Sequence, residues 1–211
     1  MSPRAAAVRA PRLMLIVEVA DATARRDVIV AALAAGVDAV QLRDRRATGA
    51  ALLAAARDLR ELTHAHDATL LVNDRVDVAL ASGADGVHLP SDSFPSAAAR
   101  RLLGPQARIG RSTHAAAEAE EALDEGADYV VLGPIFPTPS KEGFGPPLGV
   151  AALTALRRGS RVLAIGGIDA TNAGETRAAG AHGVAVIRAV LDAPDPAAAA
   201  QALRTAIDAG R

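Results

Sequence analysis

One short phrase occurs four times in this sequence, and the repeat limits the possible folds more than any other feature. Each copy begins with glycine (Gly36, Gly83, Gly126 and Gly180), carries Asp or His two residues later and ends in valine. An alanine-rich stretch precedes each copy, so we expect the glycine to cap a helix at its C-terminal end and the next residues to enter a strand. The copies recur at roughly 43 to 54 residues, about twice the length of one βα unit. Another strand and helix therefore fit between neighbouring copies.

Four marked strands and their four partners make eight βα units, which predicts an α/β fold, a single-domain (β/α)₈ barrel over residues 1–211 with a flexible arm at 1–11. The rival, an open doubly wound sheet, usually has a glycine-rich turn after its first strand, and this chain has none there. The predicted strands are 13–19, 39–42, 69–72, 86–89, 107–109, 129–132, 161–164 and 183–187. The predicted helices are 26–35, 48–64, 75–82, 95–103, 115–125, 150–158, 171–179 and 196–209.

The amino-acid composition excludes several classes of function and predicts what fills the core. Half of the residues are hydrophobic but only 2% are aromatic, so we expect Val, Ile, Leu and Ala to fill the interior. A net charge of −1 and few aromatic residues argue against a nucleic-acid partner. The absence of cysteine excludes disulfides, thiolate metal sites and a thiol nucleophile. With no apolar run of membrane-spanning length and no signal-like start, we expect a cytoplasmic protein that does not bind membranes.

Lys141 is the only lysine among 23 basic residues. A compact ammonium group that approaches a phosphate as a point charge is a physical reason to keep lysine where arginine is used everywhere else. The alternative is chance retention at the surface. Lys141 lies in the longest predicted connection, 133–149, which carries five prolines and four glycines. Long connections in compact domains are usually functional.

Barrel active sites form where strands end and the following loops begin. The polar and glycine residues at those positions are Gln41, Arg43, Arg45, Asn73, Asp74, His88, Asp92, Ser112, His114, Gly166, Gly167 and Arg188. Arg43, Arg45 and Lys141 offer three cations to an anionic ligand, although either arginine could instead form a surface ion pair. Asp74 could hold a divalent cation or cap a helix. Gly166 and Gly167 could bind phosphate or form a simple turn.

Six ordered strings resemble thiamine phosphate synthases and their close relatives, the TenI-type thiazole tautomerases. The strings are Gln-Leu-Arg-Asp-Arg (41–45), Asn-Asp-Arg-Val-Asp-Val-Ala-Leu (73–80), Gly-Ala-Asp-Gly-Val-His-Leu (83–89), Gly-Arg-Ser-Thr-His (110–114), Gly-Pro-Ile-Phe-Pro-Thr-Pro-Ser-Lys (133–141) and Ala-Ile-Gly-Gly-Ile (164–168). The resemblance runs from about residue 13 to the end. It implies a TIM barrel that couples hydroxymethylpyrimidine diphosphate to hydroxyethylthiazole phosphate, with Mg²⁺, and releases diphosphate.

The resemblance also implies residue roles. Arg43, Asn73 and Lys141 would hold the diphosphate, with Arg45 where synthases usually have lysine. Gln41 would contact the pyrimidine. Independently of the resemblance, their places after strands at the active end make His88 and His114 candidates for contact with substrate. Ser112 would lie beside the reacting centre, which makes Arg43, Ser112 and Lys141 the predicted catalytic residues. Asp74 would bind Mg²⁺. The positions that match contacts to the thiazole phosphate are Thr138, Ser140, Gly167 and Ile187.

The chain departs from the synthase pattern at three places. Ser93 stands where synthases usually have the second metal-binding Asp, so we expect the neighbouring Asp92 to substitute. Arg111 and the loop after the fourth strand are more similar to the TenI type. Arg188 replaces a small serine beside the thiazole phosphate. Conversely, Pro134 occupies the place of the tautomerase acid/base histidine.

We favour the synthase. The first alternative is a thiazole tautomerase, in which His88 or His114 would supply the base. The second is a phosphate-binding regulator on a barrel without catalytic activity. Phosphorylated small molecules are the expected partners, and a homodimer is possible.

Overall fold

A computed structural model describes residues 10–138 and 145–209. Eight parallel strands form a closed barrel, each paired with the next and the last with the first. The strands are β1 (Leu13–Val17), β2 (Ala39–Leu42), β3 (Thr69–Asn73), β4 (Gly86–Leu89), β5 (Arg108–Thr113), β6 (Tyr129–Leu132), β7 (Val162–Ile165) and β8 (Gly183–Val186). The predicted (β/α)₈ TIM barrel is confirmed. Of the predicted N-terminal arm, residues 1–9 lie outside the described part, whereas Ala10 packs against the barrel interior.

Ten helices surround the strands in the described part of the chain. They are α1 (Val19–Ala24), α2 (Arg26–Ala34), α3 (Gly49–Ala65), α4 (Val76–Ser82), α5 (Ser96–Leu103), α6 (Ala116–Asp124), α7 (Ala151–Thr154), α8 (Ala173–Ala178), α9 (Arg188–Leu191) and α10 (Pro196–Ala209). The sequence predicted neither α1 nor α9. The first strand ends at Val17 rather than at residue 19, because the amide of Glu18 donates to the Asp21 carboxylate (2.9 Å) and starts α1. Helix α7 is shorter than predicted, and the amide of Arg157 donates to Glu120 (2.8 Å) instead of extending it.

Alternate strand residues face opposite sides of the barrel wall. The outward residues pack with the helices into one large apolar cluster. The inward residues form a smaller cluster that fills the barrel, made of Met14, Ile16, Ala39, Leu71, Tyr129, Val131, Leu163 and Ala185. Val, Ile, Leu and Ala fill most of the interior as expected, and Met14 and Tyr129 are the exceptions among the described residues. Tyr129 is fully buried there and has the largest of the fully buried side chains.

The repeated phrase marks the N-terminal end of the barrel. All four of its glycines have positive φ, from 69° to 118°, as a helix C′ position requires. In three copies the aspartate accepts a backbone N–H from the preceding strand and pairs with an arginine of a helix. We call these residues the N-terminal rim: Asp38 with Leu13 N and Arg204, Asp85 with Leu70 N and Arg60, and Asp128 with Ile109 N and Arg100.

Candidate active site

Five neighbouring strands place polar side chains in the barrel interior, four of them towards the C-terminal ends of their strands and Tyr129 at the start of its strand. These are Gln41 on β2, Asn73 on β3, His88 on β4, Ser112 on β5 and Tyr129 on β6. The register aligns Asn73 with His88 and His88 with Gly110. Gln41 is aligned with Leu71 and contacts Asn73 two residues further along β3, and His88 likewise contacts Ser112 two residues beyond its partner Gly110.

The first hydrogen-bonded pair joins Gln41 to Asn73. The Gln41 amide Nε2 donates to Asn73 Oδ1 over 3.1 Å. The other polar atom, Gln41 Oε1, is buried and has no partner in the described part of the chain. Since Asn73 uses its oxygen as the acceptor, its amide nitrogen remains to donate to a ligand. The pair therefore offers one acceptor and one donor.

The second set of hydrogen bonds is centred on His88. Its Nε2 lies 2.9 Å from Ser112 Oγ and its Nδ1 lies 3.1 Å from the Tyr129 hydroxyl. The imidazole is buried, and burial lowers its pKa to about 3, with a smaller contribution from the positive charge of Arg43. His88 is therefore neutral near pH 7, and both of its ring nitrogens are occupied.

Asp74 occupies a tight turn after β3. Its φ is 60°, and the amide of Arg75 donates to the carbonyl of Asn73 across it (2.7 Å). The predicted alternative, that Asp74 caps the following helix, is wrong: α4 starts after Arg75 and no side chain caps it. The backbone instead directs the carboxylate to Ser93, whose hydroxyl donates to Asp74 Oδ1 over 2.6 Å.

The loop after β4 is held by Arg111. Its guanidinium donates to the carbonyls of Ser91 (3.0 Å), Ser93 (3.2 Å) and Phe94 (3.0 Å). This arrangement turns Ser93 towards Asp74, while Asp92 lies exposed in the same loop. No cluster of three or more His, Asp or Glu suited to a metal occurs among residues 10–138 and 145–209. Any protein ligands for a metal in that part would thus be few.

Exposed arginines lie around this end of the barrel. Arg43 and Arg45 follow β2, and neither forms an ion pair with any described residue. The surface ion-pair alternative therefore finds no support for them. Arg43 lines a cavity of about 210 Å³ together with Ile187 and Arg188. Arg188 Nη2 donates to Thr138 Oγ1 over 3.3 Å, which connects the end of β8 to the loop after β6.

The loops after β6 and β7 lie against each other. The amide of Phe136 donates to Gly166 (3.0 Å), and Gly167 packs so closely on this loop that a Cβ would lie 2.5 Å from the Pro137 carbonyl. The predicted thiazole-side residues Thr138, Gly167 and Ile187 are thus near one another, with Arg188 beside them. Ser140 and Lys141 lie outside the described residues. His114 lies exposed at the end of β5, with Nδ1 2.8 Å from the Gly133 carbonyl.

The sequence analysis did not single out Tyr129 for the site. It placed this residue, the sole tyrosine, in the repeated phrase and at the start of the sixth predicted strand. Gly110 provides the space for it, because a Cβ at that position would lie 2.1 Å from the tyrosine ring and 2.6 Å from His88 Nδ1. An isolated aromatic opposite a glycine on the next strand is the signal that could have found the pair.

Comparison with known proteins identifies the family of the chain. The thiamine monophosphate synthase family matches residues 13–190. A thiamine biosynthesis bifunctional protein of Symbiobacterium thermophilum is 50% identical over 194 residues, which cover 91% of this chain but 40% of that longer protein. The thiamine-phosphate synthase of Methanoculleus marisnigri is 49% identical over 182 residues, covering 85% of this chain and 86% of that one.

A solved structure gives the same result. The thiamine phosphate pyrophosphorylase from Pyrococcus furiosus superposes with a TM-score of 0.82 at 34% identity, covering 94% of this chain and 96% of the other. No helix in the described part is long and apolar enough to cross a membrane. The fold, the ordered motifs and these matches lead to one conclusion: the chain belongs to the thiamine monophosphate synthase family.

Proposed function

We propose that the chain is a thiamine-phosphate synthase, a transferase that joins hydroxymethylpyrimidine diphosphate to hydroxyethylthiazole phosphate and releases diphosphate. The hydrogen-bond donors and positive charge around the site carry this choice over tautomerisation, and His88, one of the two candidate bases, does not suit the alternative. A tautomerase needs a base that can take up a proton near neutral pH, but His88 is buried, neutral and bonded through both nitrogens. The residues around it instead offer donors and positive charge to an anion.

The pyrimidine diphosphate fits the side of the site formed by β2 to β5. The unpartnered Gln41 Oε1 can accept a hydrogen bond from an amino group on the pyrimidine ring. The Asn73 amide, the Ser112 hydroxyl and the Arg43 guanidinium can donate to diphosphate oxygens. We assign Arg45 and Lys141 to the same anion as additional cations.

The thiazole phosphate fits the opposite side, where the loops after β6, β7 and β8 meet. We assign it to Thr138, Ser140, Gly167 and Ile187. Arg188 adds a guanidinium next to Thr138. A dianionic phosphate is stabilised by such a group, so Arg188 is compatible with this ligand despite replacing a small residue.

In the reaction, the C–O bond between the pyrimidine methylene and the diphosphate breaks, and the electron pair leaves with the diphosphate. The thiazole nitrogen then donates its lone pair to the methylene carbon and forms the new C–N bond. No protein nucleophile takes part. Arg43, Asn73 and Ser112 would stabilise the charge that develops on the leaving diphosphate, and the two sides of the site would align the reacting atoms.

A divalent cation suits Asp74. Mg²⁺ in phosphate sites typically takes one or two carboxylates, with substrate oxygens and water completing the shell. The Asp74 carboxylate and the Ser93 hydroxyl, 2.6 Å apart, would be its adjacent oxygen ligands. Bound Mg²⁺ would neutralise charge on the diphosphate. Asp92, exposed in the same loop, remains the predicted additional ligand.

Turnover by the purified protein tests the proposal. With both synthase substrates and Mg²⁺ we expect thiamine phosphate and one equivalent of diphosphate, and we expect little product after the metal is chelated. Tautomerisation of a thiazole carboxylate phosphate without any synthase product would show that the proposal is wrong.

Two sets of variants test the metal ligands. Asp74→Asn keeps the shape of the side chain but should raise the Mg²⁺ concentration needed for half-maximal rate about tenfold or more. Ser93→Asp should lower that concentration, and Asp92→Ala should raise it. Titration of Mn²⁺ binding by electron paramagnetic resonance gives a second measure that does not depend on turnover. Equal metal affinity in all four proteins would remove Asp74 and Asp92 from the site.

A further inference from the structure

One buried polar group has no part in the proposed reaction: the hydroxyl of Tyr129. This side chain is fully buried inside the barrel. Within residues 10–138 and 145–209, His88 Nδ1 at 3.1 Å is the one hydrogen-bond partner of this hydroxyl. The other ring nitrogen of His88 lies 2.9 Å from Ser112 Oγ. Tyr129, His88 and Ser112 therefore form a line that runs from the barrel interior to the site.

The protons in this line can be arranged in two ways. A neutral imidazole carries one N–H, so His88 donates either through Nε2 to Ser112 or through Nδ1 to Tyr129. If Nδ1 carried the proton, Tyr129 would receive a hydrogen bond and its own buried proton would have no acceptor among the described residues. If Nε2 carries the proton, Tyr129 donates to Nδ1 and every buried donor is satisfied.

The second arrangement determines what Ser112 offers to the substrate. When His88 Nε2–H donates to Ser112 Oγ, one of the two acceptor positions of the serine oxygen is filled, and the serine proton is free to point to another group. Ser112 is only partly buried, so a diphosphate oxygen in the site can receive that proton as a hydrogen bond. In the opposite arrangement Ser112 would donate to His88 and present lone pairs to the anion, which is repulsive.

The geometry points to Tyr129 as a positioning residue that, through His88, holds Ser112 as a hydrogen-bond donor to the leaving diphosphate. This inference rests on the proposed synthase function. Gly110 supports it independently, since any larger residue there would collide with both the tyrosine ring and His88 Nδ1. The barrel wall is thus shaped around the Tyr129–His88 contact.

The tautomer of His88 can be observed directly. Long-range ¹H–¹⁵N NMR spectra of the uniformly ¹⁵N-labelled protein distinguish Nδ1–H from Nε2–H imidazoles, and a His88→Gln variant identifies the His88 signals. We expect the proton on Nε2 in the wild-type protein. In Tyr129→Phe we expect a mixture of tautomers. A wild-type proton on Nδ1 would overturn the inference, whatever the activity.

Kinetics of a double-mutant cycle test whether Tyr129 acts through Ser112. Tyr129→Phe should lower kcat roughly tenfold and leave the KM of the pyrimidine diphosphate nearly unchanged. In a Ser112→Ala background the same change should lower kcat by less than about twofold, because the group that it positions is gone. Equal, independent losses in both backgrounds would mean that Tyr129 acts only through stability, and the inference would be wrong.

Thr113→Val is the matched control, since it removes a buried hydroxyl on β5 that donates to Val131 rather than to the site. It should keep both kcat and the His88 tautomer. Absence of thiamine phosphate from the wild-type reaction would overturn the proposed function instead. Normal turnover by the wild type, combined with additive losses of kcat in Tyr129→Phe and Ser112→Ala, would overturn this inference and leave the proposed function in place.

Discussion

The two ends of the barrel use the same kinds of residue in opposite ways. At the N-terminal rim, Asp38, Asp85 and Asp128 each accept a backbone N–H and pair with an arginine. At the C-terminal end, Arg43 has no ion pair within the described part, and the buried Gln41 Oε1 has no hydrogen-bond partner there. The rim charges are satisfied, whereas the C-terminal end combines ion pairs such as Arg25–Asp192 and Arg75–Asp77 with groups that keep unused hydrogen-bonding capacity.

Left-handed backbone occurs at both ends, and among the described residues two that are not glycine adopt it, Asp67 (φ 53°) just before β3 and Asp74 just after it. At the N-terminal rim the left-handed positions in the repeated phrase are all glycines, so they carry no steric cost. At the C-terminal end Asp74 takes a φ of 60° although it has a side chain. Such positions persist when the surroundings hold them, and they are concentrated at functional sites. The comparison predicts that substitutions at the two ends will separate stability from activity.

A substitution at Gly110, which lies between the two ends, should lower both stability and activity and give the largest effect. In Gly110→Ala the new Cβ would lie 2.1 Å from the Tyr129 ring, so the strand or the tyrosine must move. We expect the unfolding free energy to fall by about 3 kcal/mol and activity to be largely lost. Gly174→Ala, whose nearest atom is 3.7 Å away, is the control and should be neutral or slightly stabilising. Urea denaturation measures the unfolding free energy of both variants. A Gly110→Ala protein as stable as the wild type would contradict the packing of Tyr129 against Gly110.

At the N-terminal rim, Asp128→Ala should lower stability without changing chemistry. It leaves the Ile109 amide and the Arg100 guanidinium without their shared acceptor, at a cost of about 2 kcal/mol. Below the melting transition, kcat and both KM values should match the wild type. The exposed Asp58 on α3 supplies a control, since Asp58→Ala should change neither quantity. A loss of kcat in folded Asp128→Ala would break the division between the two ends.

Acid should weaken the C-terminal half through His88. Its pKa is lowered to about 3 in the folded protein, so the unfolded chain takes up this proton first as the pH falls below about 6.5. The contribution of neutral, buried His88 to the unfolding free energy is thus fully present above that pH and decreases below it. Between about pH 7 and about pH 5, the wild type should lose about 2 kcal/mol more unfolding free energy than His88→Gln. His182, at the other end, also has a pKa lowered by burial but is only partly buried, so His182→Gln should remove less of the pH dependence.

Arg43→Ala should have the smallest effect on the molecule as a whole and act only on ligand binding. Because Arg43 is exposed and forms no ion pair among the described residues, its removal should leave Tm unchanged. Diphosphate binding should weaken by more than ~1.5 kcal/mol in calorimetry, with the same expectation for Lys141→Ala. Arg101→Ala, an exposed arginine on α5, should bind diphosphate like the wild type. Unchanged affinity in both site variants would remove this anion site.

The sequence predicted most of the barrel because its strands are marked locally. Strands β2, β4 and β6 have the predicted bounds, since a glycine cap shows where each preceding helix ends. Strand β5 was predicted too short, because Gly110 and Ser112 resemble loop residues. They are small because the barrel interior beside them holds Tyr129 and the site.

The sequence analysis named many of the residues that the structure brings together at the candidate site, but not the contacts between them. Positions such as Asn73 and Ser112 follow from their place at strand ends. Their partners depend on the register between strands, which aligns His88 with Gly110 and cannot be obtained from one strand alone. The same limit hid the contact between Ser93 and Asp74, which depends on how Arg111 folds the loop after β4.

The three aspartates of the N-terminal rim reveal an order in the ring. Asp85 and Asp128 each pair with an arginine from the helix that precedes the neighbouring odd strand, Arg60 on α3 before β3 and Arg100 on α5 before β5. Asp38 pairs in the same way with Arg204, which lies on α10, the last helix. Helix α10 therefore supplies the paired arginine beside β1, as α3 supplies the one beside β3. These contacts follow the same pattern around the barrel wherever the chain starts. A circularly permuted chain that is opened between α3 and β3 should therefore keep all three carboxylate contacts.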